Sequence, residues 1–364
     1  GQGGMGGMSG GQGFGPTQSS GFGPAAGSGF SNQQGYAPPP QNPSYPPPQQ
    51  QPPPQAPQYP NPTAPSPPAT NYTAPPPSAP SAPSAPAAPE PPKISPEELN
   101  KQDENGWTKV MHASKEGDDK KLKELIDQGA NIEARAKKGG TAVMVAAFFG
   151  RQSALKCLID AKADLSIKGA EGKTAIMLAS AEGHKDGVEA LLDAKADPNA
   201  QTDEGWTALM MAAEKGHAEL CGVLLKSNAN ANIKRKNGWT ALMVASFSGK
   251  QEVVVNLLKG KADPNVQHDD GWSALMLASV QGHSNICVIL LLGEAQPNLK
   301  NKHGQTAIML AAQEGHARAV EMLLKGAADP NVKDAEGRTA QKLAEMKGKA
   351  QVVQVLKNRP KKKK

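Results

Sequence analysis

Histidine, cysteine and tryptophan are the side chains here that could do chemistry, and their spacing decides which kind. His184, His217, His283 and His316 each follow a glycine at separations that are multiples of 33 residues. Metal ligands converge in space, whereas such even spacing marks a structural slot. His268 and His303 stand in turn-rich segments with no paired ligand. There is no nucleophile elbow, no phosphate-binding glycine loop followed by a helix, and no paired acid and base. No catalytic, metal-binding or cofactor-binding residue is therefore expected, and the chain does not read as an enzyme. Cys221 and Cys287 fill a slot held elsewhere by Val254 or Val320, which suits a small buried hydrophobe. Cys157 lies two positions further along its helix. Three cysteines cannot make a disulfide framework, so a reducing, intracellular setting is expected.

Those residues hang on a period. Gly106, Gly139, Gly172, Gly205, Gly238, Gly271, Gly304 and Gly337 recur every 33 residues without a slip, each followed two places on by Thr or Ser. A fixed period of this length signals stacked repeats. In one unit Thr207 can cap a helix over Ala208 to Lys215, and Gly216 can stop it. A second helix carries Leu220, Cys221, Leu224 and Leu225, a stripe that two short helices cannot bury alone.

The box Thr207-Ala208-Leu209-Met210-Met211-Ala212, with Gly315-His316 and Ala328-Asp329-Pro330-Asn331, resembles the ankyrin-repeat family over about Asp103 to Lys357. The resemblance implies an all-α ankyrin-repeat solenoid of paired antiparallel helices with β-hairpin fingers, in repeats starting near 103, 136, 169, 202, 235, 268, 301 and 334. The sequence departs from the family box in one respect: its His is Met at Met111, Met144, Met177, Met210, Met243, Met276 and Met309. Buried Met in place of that His predicts a stack held less by a polar ladder and more by packing.

Equivalent positions of a stack line up on one face. The residue after each repeat glycine reads Trp107, Gly140, Lys173, Trp206, Trp239, Trp272, Gln305, Arg338. Three consecutive Trp predict an aromatic strip on the concave side, joined by Phe148, Phe149, Phe247 and Val280 near the ends of the first helices. Trp is enriched at interface hot spots. The expected partner-binding set is Trp206, Trp239, Trp272, Phe148, Phe149, Phe247 and Trp107; the alternative is that each ring packs on the neighbouring finger. Flanking charges alternate (Asp203-Glu204, Arg235-Lys236, Asp269-Asp270), pointing to a protein or peptide of mixed charge rather than to nucleic acid.

Residues 1–92 are different. No charged residue occurs from Gly1 to Pro89; Gly gives way to Pro, Gln, Ala and Ser. Such composition predicts a disordered low-complexity arm, its Pro-rich half favouring polyproline II. Gly1 to Gly6 fit a dinucleotide-loop pattern by composition alone, Pro43 to Pro46 resemble a P-x-x-P ligand without a flanking Arg or Lys, and Asn42 to Tyr45 match a short N-P-x-Y docking pattern by letter only. Ser95-Pro96-Glu97-Glu98 reads as a helix start with a capping box, placing the repeat domain at 93–358. Polar first and last repeats predict end caps and a stack complete at eight units. Residues 359–364 form a basic tail; its four terminal lysines supply four of the formal net +6. No apolar run reaches the roughly 18 residues of a membrane span.

The functional expectation is a non-catalytic adaptor or scaffold, monomeric, cytoplasmic or nuclear, binding a protein partner on the concave face without a cofactor. The alternatives are a nuclear or nucleic-acid-associated regulator using the lysine tail, and a targeting part of a larger protein.

Overall fold

The computed structural model describes residues 94–359. The arm and the terminal lysines, with every reading made of them, lie outside those residues. Arg359 is described and donates from its guanidinium to Asn331 Oδ1 at 2.8 Å.

The chain enters through a single turn, α1 (Pro96–Leu99). Ser95 Oγ accepts the Glu98 amide at 3.2 Å, so the cap forms as read. The capping box does not close: the Glu98 carboxylate turns to Lys109, 3.1 Å away. Eight helix pairs follow: α2 (Lys109–Glu116) with α3 (Asp119–Asp127), α4 (Ala142–Phe148) with α5 (Gln152–Asp160), α6 (Ala175–Glu182) with α7 (Lys185–Asp193), and α8 (Ala208–Lys215) with α9 (Ala218–Lys226). Then come α10 (Ala241–Phe247) with α11 (Gln251–Lys259), α12 (Ala274–Val280) with α13 (Ser284–Leu292), α14 (Ala307–Glu314) with α15 (Ala317–Lys325), and α16 (Ala340–Met346) with α17 (Ala350–Lys357). First helices pack on first helices and second on second, giving two layers with the core between them.

Composition explains the layering. In α8 every residue from Ala208 to Ala213 is buried, because a helix apolar all round must be enclosed by neighbours. In α9 only Leu220, Cys221 and Leu224 are buried, while Glu219 and Lys226 face water. The methionine row lies in the core, Met111, Met177 and Met309 being fully enclosed. Hydroxyl caps start five of the first helices: Thr108, Thr207, Thr240, Ser273 and Thr339 accept the amide three residues on at 3.3–3.4 Å. Thr141, Thr174 and Thr306 make no such bond, and their buried hydroxyls have no partner among the described residues.

The fingers between repeats are tight turns. Thr202 donates its amide to Trp206 O and Gly205 its amide to Thr202 O, each at 2.9 Å, with Gly205 at φ +84°. A single backbone bond then ties one finger to the next in six of the seven steps, as from the Lys236 amide to Glu204 O at 3.2 Å. That is too little pairing for a strand; among the described residues only Gln267 and Ser273 form an isolated antiparallel bridge.

Polar ties between repeats run instead through the turns, which the sequence reading did not foresee. Gln102, Arg135, Lys168, Gln201, Lys234, Gln267 and Lys300 each donate to the backbone carbonyl 33 residues on, at 2.8–3.3 Å, in an unbroken relay. A second relay runs through Asn199, Asn232, Asn265 and Asn298, whose Oδ1 atoms each accept an amide 31 residues ahead. The box slot itself is apolar, its Met row lying in the core, so these ties come from the turns and not from that slot.

Candidate functional site

The histidine row is the first candidate to resolve. His184, His217, His283 and His316 precede the second helices and point their Nε2 atoms at Phe148 O, Ala181 O, Phe247 O and Val280 O of the preceding repeat, 3.0–3.2 Å away. Arg151 does the same from its slot, Nε to Lys115 O at 2.8 Å. Each ring lies against the glycine ending the previous first helix: a β-carbon at Gly183 would stand 2.6 Å from the His217 ring. This row is an inter-repeat lock, as the even spacing implied.

The cysteines are likewise spent on packing. Cys221 and Cys287 are fully buried, and burial pushes their thiols up to about 12 and about 11. Cys157 is half-buried, its thiol also raised, mainly by burial. None is poised as a thiolate.

The aromatic row forms two groups. In the first, Trp107 lies 5.4 Å from the His112 ring, and the Lys115 ammonium sits over both Trp107 and Phe149, at 5.8 and 5.5 Å. Phe148 meets Phe149 edge-on at 5.1 Å. His112 also pairs with Asp103 at 3.0 Å. The Asp103 carboxyl lies below its usual range, chiefly because it accepts the Trp107 amide.

The second group occupies the fourth to sixth repeats. Trp239 meets Phe247 edge-on at 5.7 Å, placing the finger ring against the end of α10. The His268 ring lies parallel to Trp239 on one side, at 5.8 Å, and to Trp272 on the other, at 6.5 Å, with 8° between planes in both cases. The Arg235 guanidinium covers the Trp206 ring at 4.7 Å. Gly140 and Lys173 separate the two groups, so the seven predicted residues do not make one continuous strip. All seven are half-buried.

Arg235 and His268 were missed as members of this face, although the sequence carried a signal. Four places before each finger residue runs a second row: Asp103, Ala136, Gly169, Thr202, Arg235, His268, Asn301, Asp334. Where this row is polar and can accept, it closes its own turn. Asp103 Oδ1 takes the Trp107 amide at 2.9 Å, Thr202 Oγ1 the Trp206 amide at 3.0 Å, and His268 Nδ1 the Asp270 amide at 2.9 Å. Asn301 Oδ1 takes the Gln305 amide at 2.9 Å and Asp334 Oδ1 the Arg338 amide at 2.7 Å. Of the alternating fingertip charges, Glu204 pairs with Lys236 at 3.6 Å, and Asp270 pairs with Lys302 of the following finger at 3.4 Å.

With this geometry in place, the comparison with known families is decisive. The family model "Ankyrin repeats (3 copies)" matches residues 93–169, 110–202, 176–268 and 250–334. The chain belongs to the ankyrin-repeat family. Comparison with curated proteins found no match. Ankyrin repeats generally mediate protein–protein interaction. Among the described residues no helix is long and apolar enough to cross a membrane.

Proposed function

We propose that this ankyrin-repeat chain is a non-catalytic adaptor that holds a protein partner against the face shared by its fingers and first helices, centred on Trp206, Trp239, Trp272 and Phe247. The observation that carries this reading is the concentration of half-buried aromatic rings over the fourth to sixth repeats, packed against the edge of the core. A folded repeat satisfies its core with Ala, Leu and Met; large rings left partly in water on one face are what an interface uses. Stacking on Arg235 and His268 occupies part of each ring and pre-organises it, lowering the ordering cost when a partner arrives.

The test is affinity capture with the wild-type chain and with Trp206→Ala/Trp239→Ala/Trp272→Ala, circular dichroism confirming that both are folded. A partner held by the first and released by the second is the expected result. An unchanged partner set would make the rings purely structural.

A further inference from the structure

Arg235 breaks the pattern of its row. Every polar side chain there that can accept a hydrogen bond closes its own finger, but a guanidinium is donor-only and cannot. The job passes to Asn237, whose Oδ1 receives the Trp239 amide at 3.4 Å. Arg235 instead places its guanidinium carbon over the Trp206 ring, 4.7 Å from the centroid, half-buried, and its guanidinium N–H groups meet no acceptor among the described residues. Glu204 and Glu214 lie within electrostatic range, yet neither forms an ion pair with it, and Glu204 is engaged by Lys236. Burial lowers the Arg235 pKa from its usual value, against the pull of those two carboxylates. The fold thus holds a planar donor fork in place against an aromatic wall and uses none of its hydrogen bonds. A donor fork held against a ring with its hydrogen bonds unspent is a candidate binding position.

We propose that Arg235 is the anchor for a single carboxylate of a bound peptide, from Asp, Glu or the peptide's chain end, while apolar side chains of that peptide lie along Trp239, Phe247 and Trp272. The fork matches a carboxylate in two parallel N–H···O bonds, and the contact with the Trp206 ring restricts its motion before binding. Glu204 and Glu214 weaken the positive field at the fork for any anion. The second charge of a phosphate therefore gains little there, while its cost of desolvation beside the Trp206 ring rises faster than its charge, which favours a singly charged carboxylate. The inference rests on the proposed peptide-binding role of this face and narrows it to acidic segments with an adjoining apolar stretch.

The probe is a peptide selected on the full chain from a display library of random twelve-residue sequences. It is resynthesised with each carboxylate replaced in turn by its amide, and once with phosphoserine at the acidic position. Each version is titrated by calorimetry against wild type, Arg235→Gln, Arg235→Lys, Trp239→Ala and Phe247→Ala, with circular dichroism as the folding control. Selected peptides are expected to share one carboxylate beside apolar residues. Removing it weakens binding to wild type by about tenfold or more, but to Arg235→Gln by only about twofold, because the pair is lost once, not twice. Arg235→Lys, which keeps the charge and loses the fork, behaves like Arg235→Gln. Phosphoserine binds wild type more weakly than the carboxylate does. Peptides that need Trp239 and Phe247 but carry no carboxylate, an amide cost equal in wild type and Arg235→Gln, or a preference for phosphoserine would overturn the Arg235 assignment and leave the proposed face standing. Peptides indifferent to Trp239→Ala and Phe247→Ala, or no selected peptide at all, would overturn both.

Discussion

His268 does two jobs that a proton sets against each other. Its Nδ1 must be unprotonated to accept the Asp270 amide, and its ring is partly stripped of water between Trp239 and Trp272. Burial lowers its pKa below the ordinary 6.5, with Lys302 adding to the effect and Asp270 and Asp269 opposing it. Between the folded and unfolded values the unfolded chain binds more protons, so stability rises with pH across that window. The contribution is complete above 6.5 and is lost as pH falls below it towards the folded value. Thermal unfolding between about pH 7.5 and about pH 5 should therefore show a falling melting temperature for wild type and a flatter profile for His268→Asn. Asn can take the same amide, as Asn301 does in the next repeat. Equal slopes for the two proteins would remove His268 as the group responsible. The tryptophan emission, followed in the same titration, reports whether the three-ring stack opens as the imidazole charges.

At the scale of the element, what the sequence disclosed and what it withheld divide along a physical line. Helix starts, helix stops and buried stripes were legible because they depend on residue types a few positions apart: Thr207, Gly216, Leu220 and Leu224 all stand where the local pattern puts them. The relays between turns were not read, since they join residues a whole repeat apart and their donors vary in type. Gln102, Arg135 and Lys168 share no side-chain family, only the length and the donor needed to reach the next turn's carbonyl. The same limit hid Arg235 and His268, each of which reaches a ring on the preceding finger. His217 offers a direct measure of one such element-to-element bond. His217→Ala removes the contact with Ala181 O, made at 3.2 Å, and leaves that carbonyl at the end of α6 without it. The loss should be about 1 kcal/mol in urea unfolding, the net value of a typical partly buried hydrogen bond. No change would mean that water replaces the ring without penalty.

Across the molecule, the eight pairs meet only their neighbours, and that makes stability a property distributed along the stack. Each repeat contributes its own term and an interface term with each adjacent repeat, so damage in the middle counts more than its local contacts suggest. Leu224 is fully buried in α9, where it serves the core of the fourth repeat between the third and the fifth. Leu224→Ala should cost about 2–5 kcal/mol, the range for a buried leucine whose site relaxes only in part. Leu122, equally buried in α3, lies in the first repeat, so its loss weakens one repeat-to-repeat interface instead of two. Amide hydrogen exchange distinguishes the two cases. With Leu224→Ala, protection should fall first in α7, α9 and α11, while α3 and α17 keep their wild-type rates. With Leu122→Ala, the loss should stay within α3 and α5. Exchange that quickened evenly from α2 to α17 in both variants would show that the stack unfolds as one unit, and would leave the nearest-neighbour account without support. The outcome bears on function as well. If the central repeats open locally, the Trp206–Trp272 face, built on those repeats, is also where the molecule can adjust its shape to a partner at the lowest cost in folding energy.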